Sequence, residues 1–107
     1  MTVVITQTFR RRAGARLAFL GSGVSEICKA WGEFGGGSNW AIMKPYRYRR
    51  VMASDNPSLH DYELISEMLG VDLRVLLFEE VEVAQLEDLG EPVHLSKWRA
   101  SNGNPTK

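Results

Sequence analysis

The sequence predicts a small, mainly helical domain, and three observations carry that prediction. Apolar residues recur at helical spacing in two separate stretches, Val24, Ile27, Cys28 and Trp31, and Leu59, Tyr62, Ile65, Met68 and Leu69. Each is the one-sided stripe of a helix that packs on a core. Glycines follow both stripes, at Gly32 and Gly70, and a residue free to take positive φ closes many helices. The 107 residues, 44% of them hydrophobic, make one domain with one core.

Taken in order, residues 2–9 are rich in β-branched side chains and predict a short strand. Arg10 to Leu20 reads as a helix, with Phe9, Ala13, Leu17 and Leu20 as its apolar stripe and Arg10, Arg11, Arg12 and Arg16 off it. Gly21-Ser22-Gly23 interrupts the helix, and Ser22 is placed to cap the next one. That helix runs from Val24 to Trp31 and stops at Gly32.

Residues 33–56 are harder to assign and open on a glycine-rich loop at 35–38. For Pro45–Ala53 two readings stand. A helix opened by Pro45 turns Tyr48, Val51 and Met52 inward and Arg47, Arg49 and Arg50 outward. An extended ribbon suits the alternation Tyr46-Arg47-Tyr48-Arg49. The helix is preferred.

Ser54 to Pro57 is turn chemistry. Ser58 followed by Asp61 has the form of a capping box for a helix that ends at Gly70. Asp72 caps a short helix from Leu73 to about Phe78. Val81–Val83 and Val93–Leu95 predict two short strands either side of a turn at 89–92. The domain therefore spans 1–99, mainly α with short strands at both ends, and 100–107 is a disordered tail.

Charge divides the chain. Residues 1–50 hold nine basic and two acidic side chains, a net of +7, and residues 51–107 hold four basic and eleven acidic, a net of −7. A basic half points to a polyanionic partner. Its densest cluster, Lys44-Pro-Tyr-Arg-Tyr-Arg-Arg50, interleaves arginines with aromatics. Guanidinium forks match phosphate oxygens and the guanine edge, and tyrosine bonds phosphate or stacks on bases. Arg10, Arg11, Arg12 and Arg16 form a second cluster suited to clamping phosphates. A solvated basic face is the plainer reading of each cluster.

Other chemistry finds little footing. The single cysteine, Cys28, lies on an apolar stripe and reads as core, and one cysteine forms no internal disulfide. His60 and His94 stand at no ligand spacing from each other or from Cys28, so no metal is expected. No catalytic residue and no cofactor is expected, because the glycine runs lack the spacing of phosphate loops. The apolar residues before Arg10 do not have the order of a secretory signal, and no run is long enough to span a membrane. A cytoplasmic protein is the expectation.

Pro57-Ser58-Leu59, Leu69-Gly70-Val71 and the double leucine Leu76-Leu77 resemble the last two helices of Cro/CI-type helix-turn-helix domains, the XRE family. Gly23 to Gly32 looks like that family's second helix, with Ile27 and Trp31 at core positions, Cys28 at the small position and Gly32 at the turn. The two blocks cover about half the chain. Residues 33–56 between them are longer than the family's turn and recognition helix, and lack the serine- and threonine-rich start of that helix. The resemblance implies a lambda-repressor-like helical fold and a regulator that binds double-stranded DNA. Arg10, Arg11, Arg12 and Arg16 would hold phosphates. Lys44, Arg47, Arg49 and Arg50 would enter the major groove, with Arg47 and Arg50 reaching bases. A homodimer would set half-site spacing, paired through 81–99, which is apolar on one side and acidic on the other. The rival expectation is a protein-interaction module, an inhibitor or adaptor without DNA binding, that meets its partner through residues 33–56.

Overall fold

A computed structural model describes residues 2–35, 43–78, 80, 82, 84, 86 and 90–101, with side chains from Ile5 onward. The elements are α1 (Thr2–Leu20), α2 (Val24–Phe34), α3 (Pro45–Ala53), α4 (Leu59–Leu69), α5 (Leu73–Leu77) and α6 (Val93–Ser101). The protein is mainly helical, and no described residue lies in a strand. Of the expected strand at 81–83 only Glu82 is described, and it lies in no strand; most of the glycine loop and residues 102–107 lie outside the described residues, whereas Ala100 and Ser101, expected in the tail, continue α6.

α1 corrects the first expectation. Residues 2–9 are the opening turns of one long helix, not a strand. Tertiary contacts override β propensity here. The Phe9 ring lies 4.5 Å from that of Tyr62, and the Thr6 hydroxyl shares a buried 3.1 Å hydrogen bond with the Tyr62 hydroxyl. Both contacts need the helical spacing that stacks residues 6 and 9 on one face. Val93–Leu95 is likewise not a strand but the first turn of α6.

α2 starts at Gly23 without a side-chain cap. The Ser22 hydroxyl donates instead to the Gly23 carbonyl. The helix also runs past Gly32 to Phe34, and the Gly35 N–H closes its last turn on the Trp31 carbonyl at 2.8 Å. A Cβ on Gly35 would collide with the Trp31 indole and carbonyl, so the close approach requires glycine at 35.

α3 is a helix, with Pro45 at its first turn and Tyr48 and Val51 buried. α4 is capped as its sequence implies: Ser58 Oγ accepts the Asp61 N–H at 3.1 Å. Gly70 closes it in the left-handed region, at φ 72°. Asp72 caps α5 by accepting the Arg74 N–H at 2.8 Å.

α2 lies against α3, α4 and α6, and α1 lies against α4 and α5. Phe9, Ile27, Met43, Ile65, Met68, Leu76 and Leu95 form the centre of the core. Within the stretch expected to pair two copies, Leu86 and Leu95 are buried in the protein's own core and Trp98 packs against it. Leu95 and Trp98 of α6 thus face α2 and the core, while Val93 of the same helix stays exposed.

Candidate nucleic-acid interface

The two basic clusters meet different fates. Arg16 is fully buried. Its Nε donates to the Leu69 carbonyl at 3.0 Å, its Nη1 to Leu86 at 2.5 Å and its Nη2 to Gly90. Arg12 is 4% exposed and donates through Nη1 to the carbonyls of Val75 at 2.8 Å and Phe78 at 3.0 Å. Arg10 is half-buried and donates through Nη2 to the Ser54 carbonyl at 2.7 Å, 3.7 Å from the Asp55 carboxylate.

The expected phosphate clamp is therefore corrected for Arg12 and Arg16. Their guanidiniums face inward and satisfy main-chain oxygens, which need partners once water is excluded. Arg11, the fourth member, is exposed.

A rule unites these arginines. Leu69 ends α4, Phe78 caps α5 and Ser54 caps α3. On the far side, Arg99 donates to the carbonyl of Leu20, the last residue of α1, at 2.8 Å, and pairs with Glu91 at 2.6 Å. Four helices thus end on an arginine. Terminal carbonyls lack intrahelical partners and sit at the negative end of the helix dipole, so a cation there both fills the bond and matches the charge.

Spacing could have revealed this role. Arg12 and Arg16 follow Phe9 by three and seven residues, and Arg16 precedes Leu20 by four. They lie on the buried stripe, but arginine is conventionally read as outward-facing.

The second cluster stays outside. α3 carries no acidic residue, while Lys44, Arg49 and Arg50 are exposed. Tyr46 is 63% exposed, and the Arg50 guanidinium lies over its ring, 5.8 Å from the centroid. Arg47 differs. It is half-buried, and its Nη2 donates to Asp61 Oδ1 at 2.8 Å. Burial pushes the Asp61 carboxyl up, but hydrogen bonds from Arg47 and Ser58 and the Arg47 charge outweigh it and hold the carboxyl below its ordinary value.

Two grooves flank α3. One, of about 440 Å³, lies between α3 and the start of α4 and is lined by Tyr46, Arg47, Arg50, Ser58 and Asp61. The other, of about 500 Å³, lies between α2 and α3, with Lys29 and Lys44 beside Cys28, Met43 and Pro45. Lys29 and the fully buried Met43, which anchors the entry to α3, were not singled out in the sequence.

Cys28, Tyr48 and His94 are core. Burial raises the Cys28 thiol to about 11 and the Tyr48 hydroxyl to about 12, so neither ionises near neutral pH. His94 is buried, with Nε2 2.7 Å from the Met68 carbonyl. Among the described residues no three His, Cys, Asp or Glu side chains gather as metal ligands, and no helix is long and apolar enough to cross a membrane.

Comparison with protein-family models, with curated proteins and with solved structures returns no match. The residues around α3 are therefore the ground for a functional reading.

Proposed function

We propose that the protein binds double-stranded DNA through α3 and acts as a transcriptional regulator. One observation carries the reading: α3 is an acid-free helix with Lys44, Arg49 and Arg50 all exposed, whereas the arginines of α1 are largely committed to the fold. A helix of this kind fits the major groove. Arg49 and Arg50 are the contacts of choice, with Lys44 and Lys29 on phosphates at the entry to the helix. Tyr46, held against Arg50, adds a phenol able to bond a phosphate or meet a base.

The test is fluorescence anisotropy on a random-sequence duplex across a salt series. Wild type should bind at micromolar concentration in low salt. Each phosphate contact adds about 0.9 to the magnitude of the log–log salt slope. The R49A/R50A variant should lower that slope by about 1.8 if both side chains sit on phosphates. No binding at low salt would sink the reading.

A second reading has one observation in its favour. A helix-turn-helix joins its helices by about 3–4 residues, but residues 35–44 separate α2 from α3. A protein-interaction module that uses α3 and its grooves accommodates that length. It predicts no duplex binding at any salt concentration, and loss of one protein partner in R49A/R50A.

A further inference from the structure

The length of the α2–α3 connection raises a question that a tight turn would answer: what fixes the angle at which α3 stands? Its buried side chains, Tyr48 and Val51, give it a seat. Apolar contact is non-directional, however, and does not alone set rotation about the helix axis. Directional ties do. At the C-terminal end, Arg10 donates to the Ser54 carbonyl. Nearer the start, Arg47 donates to Asp61 across the groove to α4.

The second tie has the properties of a strut. Both side chains are mostly shielded, at 28% and 22% exposure, so the pair is less screened than a surface one. Asp61 is itself fixed, because its N–H is bonded to the α4 cap Ser58. It also lies in the first turn of α4, where the dipole favours a carboxylate. Arg47 and Arg50 border the same groove, yet only Arg47 carries this carboxylate.

We infer that Arg47 and Asp61 are positioning residues, a salt-bridge strut that sets how α3 presents Arg49, Arg50 and Tyr46, in the place a short turn would occupy. The inference rests on the DNA-binding reading. It also reassigns Arg47, expected from sequence to touch bases, to a role inside the protein.

The experiment compares wild type, R47A, R47D, D61A, R47A/D61A, R49A and the charge-swapped R47D/D61R, after thermal melts confirm that each folds. D61A is decisive, because it removes a negative charge near the binding face. On electrostatics alone it would bind DNA more tightly. The strut requires the opposite: D61A and R47A each weaken binding about three- to fivefold, the worth of one favourable ion pair. The double variant should be no weaker than either single one. R47D/D61R should recover part of the R47D loss. R49A should lower the salt slope by about 0.9 and R47A should leave it unchanged. Equal or tighter binding by D61A, or a slope lowered by R47A, would overturn the inference.

Amide exchange separates this idea from the DNA reading. The α3 amides of R47A and D61A should exchange faster than those of wild type and R49A. Unchanged α3 protection rejects the strut even if DNA binds. Faster exchange in a protein that does not bind DNA keeps the strut and rejects the DNA reading.

Discussion

Arg12 and Arg16 on α1 and Arg49 and Arg50 on α3 carry the same charge in the same basic half of the chain, yet the protein uses them in opposite ways. The first pair is buried and donates to five main-chain carbonyls. The second pair is exposed around a helix without a carboxylate. A run of arginines is therefore not in itself a polyanion site. What separates the two pairs is whether the side chain lies on its helix's buried stripe, and whether helix ends converge on it.

The largest expected effect would break the buried side of this comparison. R16A removes a buried charge and leaves the carbonyls of Leu69 and Leu86 without their donor. Orphaned buried acceptors cost about 1–3 kcal/mol each, so urea denaturation should show a loss of about 3 kcal/mol or more. R16K keeps the charge but not the planar fork that reaches three oxygens, and should recover only a fraction. A loss below about 0.5 kcal/mol, the range of ordinary surface changes, would return Arg16 to the solvent-facing class.

R12A should follow, at about 2 kcal/mol, because Arg12 is slightly less enclosed than Arg16 and Phe78, one of its acceptors, lies at the edge of the core. The order of the two losses is the sharper test. If R12A costs more than R16A, depth of burial does not govern these side chains.

His94 extends the comparison to a basic group that gives up its charge. Burial lowers its pKa, and the hydrogen bond to the Met68 carbonyl only partly offsets this. The folded protein thus binds a proton less readily than the unfolded chain. The stability that goes with neutral His94 is fully present above about pH 6.5, the unfolded value, and is lost as pH falls through the folded one. Melting temperature should decline over that range in wild type. In H94Q, which retains an N–H donor without titrating, the decline should be shallower. Equal slopes would assign the acid sensitivity to the carboxylates.

Much of this fold could be read from the sequence, for identifiable reasons. The stripe Val24–Trp31, the cap pairs Ser58–Asp61 and Asp72–Arg74, and the stop at Gly70 are local features, and local rules find them. Pro45 pointed correctly to a helix. The misreadings share a cause. Residues 2–9 are helical because Thr6 and Phe9 meet Tyr62, more than fifty residues away. Arg12, Arg16 and Arg99 find their carbonyls across similar separations. At the candidate site, the basic character of α3 was visible in the sequence. The diversion of Arg47 to Asp61 was not, because it depends on how α4 crosses α3.

The smallest expected effect on stability belongs to the exposed pair, and it is the most telling. R49A and R50A should each change stability by less than about 0.5 kcal/mol, as surface substitutions without buried partners do. Replacing Arg50 also removes its stacking on Tyr46. An exposed cation–π contact is worth about 0.5–1 kcal/mol at most, so R50A should sit at the upper edge of that range and R49A nearer zero. The same variants should produce the largest loss of duplex binding. Stability and binding would then rank the arginines in reverse order, with Arg16 first for one and last for the other. A large stability loss in R49A would mean that α3 is held by this residue, and would remove the ground for assigning its charge to a partner.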